Sequence, residues 1–316
     1  MSEGKVSVAI IGTGDIGRGW AALCVSAGWP VALFDTAPHA AENATAEIAE
    51  RAERLLTLDR AVAYEVEDGI KSLRVARSLL QACESADWII ESVHEDLITK
   101  QKLFEQFESA APYAKVVTSS SSALHPKDIA ARCRRPDRML IAHPLNPPEL
   151  IPLVELVPGP QTDGMTLEVL KAWLRLLHRL PVTIKKPVPG FVAGRIAAAV
   201  WREAIDLVLT GVIDVDDLDR AVSVGPALGW AAAGPHLTYH LAAGDKGVKG
   251  FMQGLLGTFE NLWANLPTWS KLEPDQQKQL IGAIEKTYQG KLEQIRKSRD
   301  RRLAGILKGM EGARQG

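Results

Sequence analysis

The sequence predicts an α/β protein in two parts: a mainly parallel sheet with helices over residues 1–187, then an all-α domain over residues 188–316. Three observations carry this. Short apolar runs alternate with helix-compatible segments through the first part, the pattern of parallel strands joined by helical crossovers. The first of those runs stops at a glycine cluster. Beyond Lys185 to Gly190 (KKPVPG), where two prolines and a glycine follow a strand-like PVTI and mark a hinge, helical periodicity takes over.

Val6 to Asp35 sets the pattern. Val8 to Ile11 is an apolar run, Gly12-x-Gly14-x-x-Gly17 a tight turn, Arg18 to Ala27 a helix-compatible segment, and Val31 to Phe34 a second apolar run ending at Asp35. Strand, turn, helix and strand within about thirty residues make a βαβ unit of the dinucleotide-binding Rossmann kind. Each glycine has a physical task there: Gly12 makes the turn, Gly14 lets backbone approach a pyrophosphate, and Gly17 lets helix and strand pack closely. The helix N-terminus that follows the loop, with Asp15 and Ile16 just ahead of it, offers free N–H groups and a positive dipole end to phosphates. Asp35, at the tip of the second strand, is placed to accept from a ribose diol and would oppose a 2′-phosphate, so the expected cofactor is NAD(H) rather than NADP(H). An inward Asp15 carboxylate would repel pyrophosphate, so that side chain is expected to face solvent, where the helix dipole favours it.

Downstream, Pro38 to Leu58 reads as a helix, with Ala41, Ala44, Ile48, Ala52 and Leu55 at helical spacing. Gly69 to Val75 reads as a strand, Ala76 to Ala86 as a short helix, Trp88 to Val93 as a buried strand and Thr99 to Ser109 as a helix with Leu103, Phe104 and Phe107 on one face. Val116 to Ser119, Met139 to Ala142 and Leu153 to Val157 are the next strands. Val192 to Thr210, Val215 to Val222, Val248 to Leu262 and Pro274 to Leu307 are the helices of the second domain. In such a sheet the ligand lies beyond the carboxyl ends of the strands.

Composition narrows the function. With 316 residues, 46% hydrophobic, 24% charged and a net charge of −1, the chain reads as an ordinary globular protein with no nucleic-acid or anionic-membrane partner. No apolar run approaches about 18 residues, and the start runs straight into a strand, so neither a membrane span nor a signal peptide is expected. Cys24, Cys83 and Cys133 are widely spaced without a CxxC pair, as in a reduced cytoplasmic protein with no zinc site.

Ser122, His143, Asn146 and Glu155 lie in or beside the strand segments. A hydride leaves an alcohol carbon only as the hydroxyl proton is taken, so that reaction needs a base of the kind His143 supplies. Glu155, if near the far ring nitrogen, would fix the tautomer and stabilise the imidazolium; Ser122 and Asn146 can hold the substrate oxygen. From spacing alone the other reading stays open: a strand-end histidine before a proline, a surface acid and turn serines.

GTGDIGRGWA, SSSSALHP, HPLNPPELIPLVELVP and PGF together resemble the 3-hydroxyacyl-CoA dehydrogenase superfamily over nearly the whole chain. More narrowly they are similar to its small-substrate branch, lambda-crystallin/L-gulonate 3-dehydrogenase and L-carnitine dehydrogenase. The resemblance implies that Ser122, His143, Asn146 and Glu155 form the catalytic group, that Glu91 and Lys100 sit around the nicotinamide, and that the helical domain forms a homodimer. It implies NAD-dependent oxidation of the 3-hydroxyl of a small L-3-hydroxy acid to the 3-keto acid. Two alternatives are an L-3-hydroxyacyl-CoA dehydrogenase and an NAD-binding structural protein of the crystallin kind. The chain departs from the family at Gly194, where a further asparagine belongs.

Within the branch, HPLNPPELIPLVELVP resembles the gulonate enzymes, whereas WREA (Trp201 to Ala204) and LTYHLAAGDKGVKGFMQ resemble the carnitine enzymes. Trp201, Trp230, Trp263 and Trp269, with Tyr239 and Phe251 among them, are read as core or dimer interface ahead of a cage for a cationic tail. The basic run Arg296, Lys297, Arg299, Arg301 and Arg302 is read as the solvated face of the last helix.

Overall fold

A computed structural model describes residues 5–290 and 292–312, so the extreme ends of both expected domains lie outside the described residues. The chain forms two compact units, Met1–Arg195 and Ile196–Gly316. The first unit runs past the boundary at 187 read from the sequence. Phe191 is buried there, and the N–H groups of Val192 and Ala193 donate to Glu155, so the hinge belongs physically to the sheet.

Its centre is an eight-stranded sheet: β1 (Val8–Ile11), β2 (Val31–Phe34), β3 (Arg74–Val75), β4 (Trp88–Glu91), β5 (Val116–Ser119), β6 (Met139–Pro144), β7 (Leu153–Pro158) and β8 (Leu180–Thr183), in the order β3-β2-β1-β4-β5-β6-β7-β8. β1, β4 and β5 are buried throughout, as central parallel strands must be when helices cover both faces. Their side chains alternate: Val8 and Ile10 join one core cluster, Ala9 and Ile11 the other. Helices α1 (Asp15–Ser26), α2 (Ala40–Thr57) and α3 (Ala63–Ser72) cover the first face, and α4 (Leu79–Cys83), α5 (Leu97–Ala110) and α6 (Pro126–Ile129) the second. α7 (Gly164–Leu176) returns to the first face through Leu170 and Leu174. Trp20 of α1 meets Trp88 of β4 edge-on at 5.6 Å, and Trp88 meets Trp173 of α7 at 6.1 Å.

Pairing is parallel except between β6 and β7, which run antiparallel. The segment Leu145–Pro152 between them is shorter than the dozen or so residues a parallel crossover needs, so the chain turns back. That reversal sets His143 directly opposite Glu155.

Two local readings are corrected. Gly69, expected to open a strand, lies inside helix α3, and only Arg74–Val75 is strand. A Cβ on Gly69 would come within 2.0 Å of the Val25 carbonyl oxygen, so this glycine lets α3 press onto α1 instead of ending a helix. Helix α7 lies in a stretch to which no element was assigned.

The second unit is helical as expected, with α8 (Ala193–Leu209) leading into α9 (Val215–Val224), α10 (Pro226–Leu241), α11 (Gly247–Asn265), α12 (Pro274–Tyr288) and α13 (Leu292–Gly312). The single helix expected over 274–307 is two, broken before Gly290, whose φ is +75°. α10 was not anticipated and bends at Gly234, φ +74°, ahead of Pro235. Tyr239, Phe251, Phe259 and Trp263 form a run of ring contacts at 5.1–5.8 Å between centres, with Phe251 buried and Trp263 exposed. Among the described residues no helix is long and apolar enough to cross a membrane.

Candidate active site

The glycine turn has the geometry its spacing implies. Gly12 sits at φ +94°, and a Cβ there would lie 2.7 Å from the backbone of Ser92; a Cβ on Gly17 would lie 2.0 Å from the Gly12 carbonyl oxygen. Gly14, by contrast, has nothing within 4 Å of its missing Cβ. That open face borders a cleft of about 520 Å³, a volume suited to a small-molecule site. First-turn N–H groups of α1, those of Asp15 and Ile16 among them, have no partner within the helix. These residues fit a dinucleotide: the open glycine and free N–H groups suit a pyrophosphate, and Asp35 in the same cleft suits a ribose diol.

Asp35 is held in place before any ligand arrives. Its Oδ2 accepts from the Thr13 N–H at 2.7 Å and the Thr13 hydroxyl at 2.9 Å, and its Oδ1 from the Ala37 N–H at 2.9 Å. Partial burial disfavours the charge, but the N–H groups of Thr13, Ala37 and Thr36 outweigh it and hold the carboxyl below its ordinary range. Asp15 faces away, as its charge requires: it pairs with Arg51 and lies beside Asn146. Its carboxyl too stays low, because Arg51, Asn146 and Arg18 outweigh burial. The Asp15 contribution to a phosphate site is its N–H alone. Across the cleft stand Ser92, Val93 and His94 after β4, with Lys102 of α5, none of which was singled out in the sequence.

Glu91 and Lys100, expected around the nicotinamide, form a buried ion pair at 2.6 Å beneath that wall. Glu91 Oε1 also accepts from the Val93 N–H at 2.7 Å, and Oε2 from the Ser119 hydroxyl at 2.5 Å. Burial pushes the Glu91 carboxyl up despite the Lys100 charge beside it. Lys100 reaches Glu95 as well, at 3.3 Å. Glu95 accepts from the Ser121 hydroxyl at 2.5 Å and the Ser122 N–H at 3.2 Å, tying the serine run to the buried lysine. Glu95 was missed because an acid in a loop ahead of a helix reads as solvated. Its clue was the basic residue five positions on.

At the ends of β6 and β7, His143 Nδ1 meets Glu155 Oε2 at 2.9 Å. The other Glu155 oxygen accepts from the N–H groups of Val192 and Ala193, both at 2.9 Å, and Phe191 packs edge-on to the imidazole at 5.5 Å. A carboxylate so placed accepts from Nδ1–H, which leaves the Nε2 lone pair to take a proton. Among the described residues Nε2 has no hydrogen-bond partner. Ser122 lies three residues beyond Ser119 and His143 two beyond Ile141, its register partner, so both stand at the carboxyl edge of neighbouring strands. Ser122 and Asn146 are exposed. A Cβ on Gly194 would meet nothing within 4 Å, so the position where the family pattern has asparagine is open space.

Two family models match the chain in succession: 3-hydroxyacyl-CoA dehydrogenase, NAD binding domain, over residues 7–187, and 3-hydroxyacyl-CoA dehydrogenase, C-terminal domain, over residues 190–279. The chain belongs to the 3-hydroxyacyl-CoA dehydrogenase family. Its first unit is therefore an NAD-binding domain and the protein an NAD-dependent oxidoreductase. Among its family relatives is an L-carnitine dehydrogenase of Nocardiopsis dassonvillei, 30% identical over 310 residues, covering 98% of this chain and 93% of the relative. A solved structure of 5-formyl-3-hydroxy-2-methylpyridine 4-carboxylic acid 5-dehydrogenase, described as an NAD+-dependent dismutase, is 29% identical with a TM-score of 0.81, covering 98% of this chain and 99% of that one. The 3-hydroxybutyryl-CoA dehydrogenase of Escherichia coli K12 is 27% identical with a TM-score of 0.64, covering 88% of this chain and 57% of that one.

In this family member the dyad can be probed through Glu155. Glu155→Gln leaves an amide that cannot accept from Nδ1–H and from two backbone N–H groups at once. Turnover is expected to fall on the order of 10²-fold, less than on removing His143 itself. Steady-state kcat for the two variants, measured side by side, checks the order.

Proposed function

We propose that the protein oxidises the 3-hydroxyl of a small free L-3-hydroxy acid, carnitine-like or gulonate-like, to the 3-keto acid, with NAD as acceptor and reversibly. NAD bound in the cleft supplies the hydride acceptor; His143 takes the hydroxyl proton at Nε2, Glu155 holds the ring, and Ser122 and Asn146 orient the substrate oxygen.

The observation that carries the free-acid reading is the fate of the basic residues between β2 and β4. Arg51 pairs with Asp15, Glu47 and Glu149, Arg54 with Glu50 and Lys71 with Glu67, while Arg74 donates to the Gln81 carbonyl. CoA phosphates need clustered cations, and here Arg51, Arg54 and Lys71 serve the protein's own acids. The closer structural likeness to a dehydrogenase of a small free acid than to a CoA-dependent one supports the same choice.

The test is a panel of L-carnitine, L-gulonate, L-3-hydroxybutyrate and L-3-hydroxybutyryl-CoA with NAD, followed by NADH absorbance. A free acid is expected to lead in kcat/KM. A CoA thioester ahead of every free acid by about tenfold, or about 1.4 kcal/mol in transition-state binding, would establish the acyl-CoA reading instead. Turnover of none would favour the structural, crystallin-like one.

NAD selectivity rests on Asp35. Its carboxylate stands where a 2′-phosphate would go, so Asp35→Ser should lower the NAD/NADP ratio of kcat/KM by about tenfold or more, mostly by admitting NADP. Equal wild-type rates with the two cofactors would end this assignment. The proposal includes a cytoplasmic protein with free cysteines and a homodimer through the helical unit, where α10 and α11 leave Leu237, Leu241, Val248, Met252 and Leu255 exposed. Sedimentation at the mass of one chain would remove the dimer.

A further inference from the structure

We infer that Arg51 is a positioning residue for the substrate-side loop Leu145–Pro152, which carries Asn146, locking it to the cofactor-side start of α1. The inference rests on the reading of Asn146 as a substrate residue given above.

Arg51 lies on α2, outside the glycine turn and outside the dyad, yet its guanidinium binds both sides of the site. Nε donates to Glu47 Oε1 at 3.0 Å and Nη2 to the same oxygen at 2.6 Å, which fixes the fork on its own helix. Nη2 then pairs with the Asp15 carboxylate, one residue beyond Gly14, and Nη1 lies 3.5 Å from both the Asp15 carbonyl oxygen and Glu149 Oε1. Asp15 in turn lies beside Asn146. The guanidinium thus reaches the loop at Glu149 while holding Asp15 at the start of α1.

The other contacts of the loop show why this link is specific. Glu149 is buried, its Oε2 has no hydrogen-bond partner, and Arg51 is its one ion-pair partner among the described residues. A Cβ on Gly19 would strike Pro148 at 2.6 Å and Glu149 Oε2 at 2.8 Å, so the loop lies flat on α1. On the far side Arg179 donates to the carbonyl oxygens of Pro148, Glu149 and Ile151 at 3.2–3.4 Å and fixes the backbone of the later half. Arg18, the other cation near Asp15, is already spent on Glu47 and the Thr13 carbonyl oxygen. A planar fork meeting three carboxylates at fixed angles is a task that arginine performs and lysine performs only in part.

The experiment compares wild type, Arg51→Met and Arg51→Lys, each also in an Asn146→Ala background. With selective 15N-asparagine labelling, the side-chain amide of Asn146, assigned by its loss in Asn146→Ala, is expected to shift in Arg51→Met and to move back toward its wild-type position in Arg51→Lys. The amide of Asn43, on α2 itself, and those of Asn261 and Asn265 serve as controls and should stay. With L-carnitine, or whichever panel acid is turned over best, Arg51→Met should raise KM about tenfold with kcat within about threefold, and the same substitution should cost less than about threefold in kcat/KM once Asn146 is absent. An unmoved Asn146 amide in Arg51→Met overturns the inference whether or not any panel acid is a substrate. So does an undiminished cost in the Asn146→Ala background, or a displacement of all four asparagine amides together, which is the mark of a merely structural role. Failure of the substrate reading alone would show as a shifted amide with no panel acid oxidised.

Discussion

His143→Ala is expected to lower kcat on the order of 10²- to 10⁴-fold while NADH binding, followed by fluorescence, stays as in wild type. The two readouts separate because the imidazole and the cofactor cleft share no side chain: the cleft is lined by residues of β1, β2, the turn after β4 and α5, and His143 is not among them. The size of the loss follows from geometry. Glu155 is buried and accepts from Nδ1–H, and its second oxygen accepts from two backbone N–H groups, so the imidazole keeps its Nε2 lone pair for the hydroxyl proton. Removing the ring also leaves Glu155 with a buried oxygen that has lost its donor, so the hinge at Phe191 to Ala193 should loosen and the stability fall modestly. Turnover by His143→Ala at the wild-type rate would refute the dyad as the base.

Lys100→Met is expected to destabilise the first unit by about 3–5 kcal/mol, the usual cost of removing one partner of a buried ion pair. Lys100 and Glu91 are 1% and 0% exposed, and the same ammonium serves Glu95 and the Val93 carbonyl oxygen. Without it, two carboxylates face each other with hydroxyl and N–H donors alone, in a place where burial already pushes Glu91 upward. The double variant Lys100→Met/Glu91→Gln removes the stranded charge and should recover at least about half of the loss. Urea unfolding midpoints, with the slope held constant, measure both. A single variant within about 1 kcal/mol of wild type would show that the pair is dispensable. Ser122 hangs from the same network through Glu95, so Lys100→Met should lose activity even under conditions where it stays folded.

The parts of the site visible in the sequence are those whose cause is local. Gly12, Gly14 and Gly17 each answer a steric demand within a few residues, a positive φ, an open face and a close carbonyl, so their spacing alone announces the turn, and Asp35 follows at the next strand end. The dyad was legible as residues, with its pairing conditional on the fold. His143 and Glu155 meet only because Leu145–Pro152 is too short for a crossover and reverses the chain, a property of a loop length and not of either side chain. Glu91 and Lys100 show another side of this: the resemblance implied that they sit around the nicotinamide, and only the packing of α5 on the sheet showed them as a buried ion pair. Gly69 reads as the start of a strand in one dimension and is a helix-packing residue in three, because the carbonyl of Val25 occupies the space a side chain would need.

By itself, then, the amino-acid order determined the α/β class, the helical second unit, the NAD-binding turn with its acid, and the family, since hydrophobic period and backbone sterics act over a few residues at a time. Tertiary structure alone decided the antiparallel pairing that joins His143 to Glu155, the burial of Lys100 between Glu91 and Glu95, and the reach of Arg51 to Asp15 and Glu149. Each of those joins charges distant in sequence, and what a charge does depends on the partners and the dielectric that the fold puts around it.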